Sequence, residues 1–193
     1  EHDEAAAVAR DIRRRVDAGL RYADCTIFYR TNAQSRNFEG ALRDAGIPYT
    51  IVAGTAFFDR REIRDLVGYL RVLANPRDDL SLMRIINVPA RGIGQRSIER
   101  LRAWAEGQGT SLREALGSAQ EAGLRGPQVT AARELNVLLT GLEALRTRPA
   151  AEILKALIER SEYLPYVRMT LSDPQDRENN VQELVNAAVE FDR

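Results

Sequence analysis

The hydrophobic positions divide the chain into a first part that alternates between helix and strand patterns and a longer part that is helical throughout. Residues 5–16 and 35–45 carry apolar side chains at helical spacing. The runs at 25–29 and 49–52 are short, apolar and rich in β-branched and aromatic residues, which favours buried strands. Helix, strand, helix, strand is half of a doubly wound α/β domain, and two strands alone are too few for a stable sheet of that kind.

From Asp59 onward, each periodic segment predicts a helix. Asp59 and Glu62 have the spacing of a capping box at the start of the first of them. Ser97 is predicted to cap a later helix. Glycine-rich 107–126 and polar 172–180 are predicted as the main loops. The predicted helices run from Asp59 to about 74, and over 79–87, 98–106, 111–116, 127–145, 150–160 and 180–191.

Composition excludes several classes of protein. The chain has 193 residues, of which 44% are hydrophobic, enough for one domain or one and a half. No apolar run approaches the roughly 20 residues that cross a bilayer, and the first residues lack a signal-peptide pattern, so we expect a cytoplasmic protein. With Cys25 as the single cysteine and His2 as the single histidine, neither an internal disulfide nor a zinc cluster is expected.

The charge is balanced overall but not locally. Formal net charge is zero, so the bulk signature of a nucleic-acid-binding protein is missing. The segment from Arg60 to Arg102, however, contains ten arginines and only five acidic residues. That excess fits a surface that binds phosphate, and it equally fits a solvated face.

The segment around Gly92, Ile93 and Gly94 is the most informative local motif. Two glycines between short helices allow a tight turn, and the amides at the start of the next helix carry partial positive charge. Such a helix-hairpin-helix-like turn can hold a DNA phosphate without reading sequence, with Arg91, Arg96 and the Ser97 hydroxyl beside it. The alternative is an ordinary connection between two helices.

Two further sets of polar residues suggest contact with phosphate. Arg60, Arg64 and Arg71 fall on one side of a predicted helix and would form a basic ridge. Arg30 and Asn32 follow the first predicted strand, at the edge of an open α/β sheet where ligands bind. A solvated helix face and an ordinary turn are the alternatives.

The motifs of nucleotide hydrolysis are missing from this sequence. There is no GxxxxGK[ST] phosphate loop, because the only lysine, Lys155, lies inside an amphipathic helical segment. No Ser, His and Asp set suggests a hydrolase. We therefore expect no catalytic residue, no metal site and no bound cofactor in this chain.

Several motifs in order resemble the UvrD/PcrA/Rep family of superfamily 1 DNA helicases. They are IFYRTNAQSR at 27–36, GIPY at 46–49, FFDRREIRD at 57–65, and RIINVPARGIG at 84–94. The similarity is dense over residues 22–102. The remainder is similar to the family only in being helical and of suitable length.

The resemblance implies a mainly α fold with two parts. Residues 1–53 would be the leading, incomplete part of the RecA-like motor domain 2A, and residues 54–193 the all-helical accessory domain 2B. The family's phosphate loop, magnesium-binding motif and γ-phosphate-sensing arginine lie in segments absent here. ATP and Mg²⁺ would therefore serve the parent enzyme, a 3′ to 5′ helicase of bacterial DNA repair and replication at the nucleoid, and this fragment alone would be catalytically inactive.

The resemblance also implies roles for single residues. Arg30 and Asn32 match positions that touch single-stranded DNA. Arg64 stands where the family commonly has a lysine facing the duplex. The turn that grips the duplex backbone matches Arg91, Gly92, Ile93, Gly94 and Ser97, with serine in place of the usual threonine and Arg96 beside it. We expect weak, salt-sensitive and sequence-independent binding to DNA.

Other partners follow from the same resemblance. They are the motor domains of the parent chain and proteins of repair or transcription; no membrane is expected. The competing hypothesis is a non-enzymatic module that contacts a protein partner or restrains the motor. A nuclease-helicase relative is disfavoured, because no carboxylate-rich nuclease centre is present in the sequence.

Overall fold

The computed structural model describes residues 2–31, 34–51 and 56–193, and within these ranges the protein is mainly α-helical, as predicted. Short 3-10 helices at Tyr22–Asp24 and Phe57–Asp59 accompany the α-helices. The α-helices are His2–Asp17 (α1), Ser35–Asp44 (α2), Arg61–Ala74 (α3), Asp79–Ile85 (α4), Gln95–Gln108 (α5), Leu112–Gly117 (α6), Pro127–Glu143 (α7), Ala150–Arg160 (α8), Tyr163–Thr170 (α9) and Pro174–Phe191 (α10).

The two predicted strands do not form in the described part of the chain. Residues 25–29 and 49–51 have no regular secondary structure, and residue 52 lies outside the described ranges. A strand satisfies its backbone N–H and C=O groups on a neighbouring strand, and the residues described offer it none. The exposed side chain of Phe28, at 91%, shows that this apolar run is not buried as a strand of an α/β sheet would be.

After α6, helix α8 has the predicted boundaries, but the segments on its C-terminal side differ from the prediction. The segment 172–180 was predicted as a loop, yet α10 begins at Pro174, because proline fits the first turn of a helix, where its missing N–H has no intrahelical partner. Helix α9 was not predicted at all. Its Pro165 also lies in the first turn, where a proline does not interrupt the helix.

The predicted capping box at Asp59 is wrong. Helix α3 begins at Arg61 after Arg60, without a side-chain cap, and Asp59 belongs to the preceding 3-10 helix. The carboxylate of Glu62 instead lies buried, where it accepts hydrogen bonds from Arg177 Nη1 at 2.5 Å and Asn180 Nδ2 at 2.6 Å. Glu62 therefore joins α3 to α10.

The buried apolar side chains of the described residues form two separate clusters. The larger extends from Phe57 through α3–α10, and the smaller joins α1 and α2 through residues such as Ala5, Ala9 and Leu42. The predicted boundary at 53/54 falls between these clusters but lies outside the described residues.

A buried polar chain connects α2 to the larger helical unit. Arg60 donates to Ser35 Oγ at 2.6 Å and to Asn180 Oδ1 at 2.7 Å. Ser35 donates to Glu39, which also accepts the backbone N–H of Phe57. Burial lowers the pKa of Arg60, while the nearby carboxylates of Glu39 and Glu62 act in the opposite direction.

Candidate nucleic-acid interface

The turn at residues 86–94 connects α4 to α5 and is held from inside by Asn87. The side-chain oxygen of Asn87 accepts the N–H of Ile93 at 3.0 Å and that of Arg91 at 3.3 Å. Its amide nitrogen donates to the carbonyl of Ile93. The Ile93 side chain is fully buried in the larger core. The turn is therefore held in place by the hydrogen bonds of the Asn87 side chain and by the buried side chain of Ile93.

The backbone on both sides of Ile93 is open to solvent. Gly92, Gly94, Gln95 and Arg96 are all exposed. Gly92 has a φ of 73°, in the left-handed region that favours glycine. An added Cβ on Gly92 would meet nothing within 4 Å, so backbone conformation rather than crowding favours glycine here.

Helix α5 begins three residues earlier than the pattern predicted. Its N-cap is Gly94, and Ser97 is the third helical residue, whose N–H donates to Gly94 O at 2.9 Å. Ser97 is therefore not the cap. Its hydroxyl, partly buried, forms no hydrogen bond within the described ranges.

The first amides of α5 have no acceptor in the part of the chain described. Gly94, Gln95 and Arg96 donate no backbone hydrogen bond there. Amides at a helix start carry the positive end of the helix dipole, which attracts anions. The side chain of Arg96 is exposed and likewise has no hydrogen bond or ion pair among those residues.

Arg91 points inward from the turn. Its Nη1 donates to the carbonyls of Ile85, Ile86 and Pro89 at 3.1–3.3 Å, and its Nη2 donates to Tyr69 Oη at 2.6 Å. Tyr69 is fully buried and donates in turn to Val88 O at 2.6 Å. Burial raises the pKa of Tyr69, although the neighbouring Arg91 opposes the rise. Arg91 therefore caps the end of α4 and ties the turn to α3.

The predicted basic ridge on α3 loses one of its three members. Arg60 is 9% exposed and occupied by the polar chain to α2 and α10. Arg64 and Arg71 remain exposed. The side chain of Arg64 has no hydrogen bond or ion pair within the described ranges.

The structure does not bring Arg64 and the guanidinium of Arg91 together. Tyr69, which binds Arg91, lies five residues after Arg64, which places the two about 140° apart around α3. Helix α4 packs between these directions, where an added Cβ on Gly68 would approach Ile85 Cγ2 at 3.0 Å. Arg64 and the turn are thus separate elements of the surface.

Arg30, predicted to contact single-stranded DNA, is exposed. Its backbone N–H and that of Thr31 both donate to the side-chain oxygen of Gln34, at 3.0 Å and 3.1 Å. Asn32, its predicted companion, lies outside the described residues.

Sequence reasoning missed the residues that build the site from inside. Asn87, Tyr69 and Gln34 are single polar residues without a periodic pattern, and their roles depend on contacts between separate segments. The one feature of the sequence that could have indicated a role for Asn87 is its position shortly before Gly92 and Gly94.

The described ranges contain neither a metal-binding cluster nor a membrane-spanning helix. No group of three or more His, Cys, Asp or Glu side chains that could hold a metal ion occurs there. No helix there is long and apolar enough to cross a membrane.

Comparison with known proteins identifies the family. Residues 1–122 match the family described as the UvrD-like helicase C-terminal domain. The chain belongs to this family. The matched residues include α3, the turn and α5, and the resemblance to UvrD/PcrA/Rep helicases is confirmed.

Named relatives of this UvrD-like chain are ATP-dependent DNA helicases. UvrD1 of Mycobacterium bovis is 40% identical over 197 residues, which cover 99% of the chain and 25% of the relative. UvrD1 of Mycobacterium leprae is 39% identical with the same coverage. PcrA of Staphylococcus aureus is 48% identical over 124 residues, which cover 64% of the chain and 17% of the relative. The chain thus spans about a quarter of the length of the UvrD1 relatives.

Proposed function

We propose that this chain is the DNA-handling part of an ATP-dependent 3′ to 5′ DNA helicase of repair and replication. In this proposal residues 1–53 belong to motor domain 2A and residues 54–193 form accessory domain 2B. The family assignment and the names of the relatives support the proposal. The observation that carries it is the exposed turn at Gly92–Arg96, where the amides at the start of α5 have no acceptor among the described residues.

The turn would bind the duplex through a phosphate. The amides of Gly94, Gln95 and Arg96 supply donors and the positive end of a helix dipole. The guanidinium of Arg96, which has no partner within the ranges that the structure describes, supplies a full charge and several further donors. Because a phosphate contact carries no base information, this grip would be independent of sequence.

Arg91 has a different role in this proposal from the one its position in the motif predicted. Its guanidinium already donates to four acceptors of the protein. It would therefore shape the turn rather than contact DNA. Gly92 would provide the left-handed backbone conformation and Ile93 the apolar anchor.

Arg64 would contact the duplex at a second place, away from the turn. Its exposed side chain, without a partner among the described residues, supports this role. Arg30, together with Asn32, would contact the single strand that crosses the motor. ATP and Mg²⁺ would be bound by other parts of the parent enzyme, which would also supply the chemical work.

A salt titration tests the proposal. The 193-residue chain is mixed with a fluorescent blunt duplex, a forked duplex and a single strand, and the dissociation constants are measured by anisotropy from about 20 to about 200 mM salt. For the duplex we expect the logarithm of affinity to fall linearly with the logarithm of salt, with a slope of about −0.9 per phosphate contacted.

Two variants assign that binding to the turn. Arg96→Gln should reduce the magnitude of the log–log slope by about one, which corresponds to the loss of one phosphate contact. Gly94→Pro removes the amide of Gly94 and should weaken binding without changing net charge. Salt-dependent binding that neither variant alters would contradict the proposal. Undetectable binding at low salt would favour the protein-interaction alternative.

A further inference from the structure

The exposed surface of α5 carries opposite charges on its two flanks. Successive residues of a helix are about 100° apart, so Arg96 and Arg100, four residues apart, lie on one flank. Glu99 and Glu106 lie on the other flank, with Arg102 at helical spacing between them. All five side chains are exposed. The arginine flank begins at the turn and continues away from it.

The segment between α6 and α7 is attached to this arginine flank. Arg100 Nη1 donates to Gly123 O at 3.0 Å. An added Cβ on Gly123, which has a φ of 84°, would lie 3.9 Å from Arg100 Cδ. Ala122 and Leu124, on either side of Gly123, are buried in the larger core. The attachment is therefore made to a segment that is itself anchored.

That segment supplies a third arginine, Arg125. Its Nη1 donates to the carbonyls of Gln120 and Leu124 at 3.0 Å and 2.8 Å, which fixes where the guanidinium lies. A guanidinium has five N–H donors. Arg100 and Arg125 each use only one nitrogen in these bonds, both are exposed, and neither has an ion pair with a carboxylate within the described ranges.

We propose that Arg100 and Arg125 extend the duplex-binding surface from the turn across α5 to the segment 118–126. The proposal rests on the proposed function, because the turn supplies the first phosphate contact. Arg96 and Arg100 are spaced by roughly 6 Å along the helix axis. In this proposal the three guanidiniums contact successive phosphates of one nucleic-acid strand. Arginine side chains that are already held by hydrogen bonds lose less conformational entropy on binding than mobile ones.

The chain offers a matched control for this proposal. Arg102 lies on the same helix and carries the same charge, but it is placed between Glu99 and Glu106. Arg102→Gln changes the net charge of the protein by the same amount as Arg100→Gln or Arg125→Gln. Any effect that depends only on overall charge will be equal in the three variants.

The test compares the salt dependence of duplex binding in these variants of the 193-residue chain. Arg100→Gln and Arg125→Gln should each reduce the magnitude of the log–log slope by about one and weaken binding several-fold at low salt. Arg102→Gln should leave both quantities as in the wild type. Equal behaviour of all three variants would overturn the proposal.

Lysine variants separate a DNA contact from a purely structural role. Arg100→Lys and Arg125→Lys retain the charge but lose the geometry of the bonds to carbonyls. If the charge contacts phosphate, the salt slope is retained even where the thermal midpoint falls. A slope that falls together with stability in the lysine variants would overturn the proposal in favour of a structural role.

Failure of this proposal and failure of the proposed function give different results. Loss of slope in Arg96→Gln, with wild-type slopes in Arg100→Gln and Arg125→Gln, would limit the duplex contact to the turn. Absence of salt-dependent duplex binding by the wild type would remove both proposals together.

Discussion

The side chain of Asn87 binds both polar backbone groups of Ile93, on the opposite side of the turn. Its oxygen accepts the Ile93 N–H at 3.0 Å, and its nitrogen donates to the Ile93 carbonyl. A side-chain amide that pairs with a backbone amide replaces the partner that a neighbouring strand would otherwise give. The exposed glycines thus sit on a fixed frame.

Removal of this frame should cost stability and DNA binding together. In Asn87→Ala the backbone groups of Ile93 lose their partner, and we expect the free energy of unfolding to fall by about 1–3 kcal/mol. Urea denaturation measures this loss. Asn186→Ala, which removes exposed hydrogen bonds to Gln182 and Glu183 on α10, is the control and should change stability by less than about 0.5 kcal/mol. Equal losses in the two variants would contradict the role given to Asn87.

Arg91 should behave as a structural residue. Arg91→Lys keeps the charge but cannot reproduce donation to three carbonyls and the Tyr69 hydroxyl. We expect a loss of about 1–3 kcal/mol of stability, with the slope of duplex binding against salt unchanged. Thermal unfolding and anisotropy measure the two quantities. A direct phosphate contact by Arg91 would instead show a reduced slope in Arg91→Gln after correction for any unfolded protein.

The polar connection between α3 and α10 should be strongly stabilising. Glu62 is 1% exposed and accepts hydrogen bonds from Arg177 and Asn180. Removing one partner of a buried ion pair typically costs about 3–5 kcal/mol. Because Arg177 is partly exposed, we expect Glu62→Gln to fall near the lower end of that range in urea denaturation.

The control for Glu62 is an exposed pair of the same chemistry. Glu152 and Arg148 are 50% and 60% exposed and approach to 2.9 Å. Glu152→Gln should change stability by at most about 1 kcal/mol. If the two variants differ by less than the experimental error, the buried connection does not stabilise the fold as argued.

The N-cap of α4 should make stability depend on acid pH. The carboxylate of Asp78 accepts the N–H of Ser81 at 3.0 Å and its hydroxyl at 2.7 Å, and these bonds lower the pKa of Asp78 below its ordinary value of 3.8. A lowered pKa in the folded state means that the contribution is complete above the ordinary value and is lost as pH falls through the folded one.

Asp78→Asn keeps a capping side chain but removes the titration. The wild type should therefore exceed Asp78→Asn in stability by a constant amount between about pH 5 and pH 7, and by less at about pH 3. Urea denaturation at each pH measures the difference. A difference that is the same at all three values would contradict the charge-assisted cap.

The helices were predictable where one face is consistently apolar. In α3 the apolar residues Ile63, Leu66 and Leu73 are buried, and Val67 and Leu70 are partly buried against the same core. Helix starts were less predictable, because a hydroxyl or carboxylate near a helix end can belong to the cap or to the first turn. Ser97 and Asp59 both matched a capping pattern, yet neither residue caps its helix.

The charged residues show what sequence cannot supply. Spacing placed Arg60, Arg64 and Arg91 near the proposed site, but direction depends on the partners that the fold brings close. Arg60 turns to Ser35 and Asn180, residues 25 and 120 positions away. Arg91 turns to the carbonyls behind the turn, so that of these three arginines Arg64 alone is exposed.

The strands were predicted from the local sequence pattern. Apolar, β-rich runs at 25–29 and 49–52 have the propensity of strands, but a ladder needs a neighbour with free backbone groups. β-propensity is a property of a single segment, whereas a β-ladder requires two segments that lie side by side. The described residues of these runs, 25–29 and 49–51, are not paired with each other or with another described segment.

Amide chemical shifts of the 193-residue chain, titrated with two short duplexes of unrelated sequence, test most directly whether the turn seats a phosphate. A phosphate bound at the turn predicts that the largest shifts fall on Gly94, Gln95 and Arg96, that both duplexes give the same dissociation constant, and that added salt reverses the shifts. Shifts confined to other helices, or a strong preference for one of the two sequences, would contradict it.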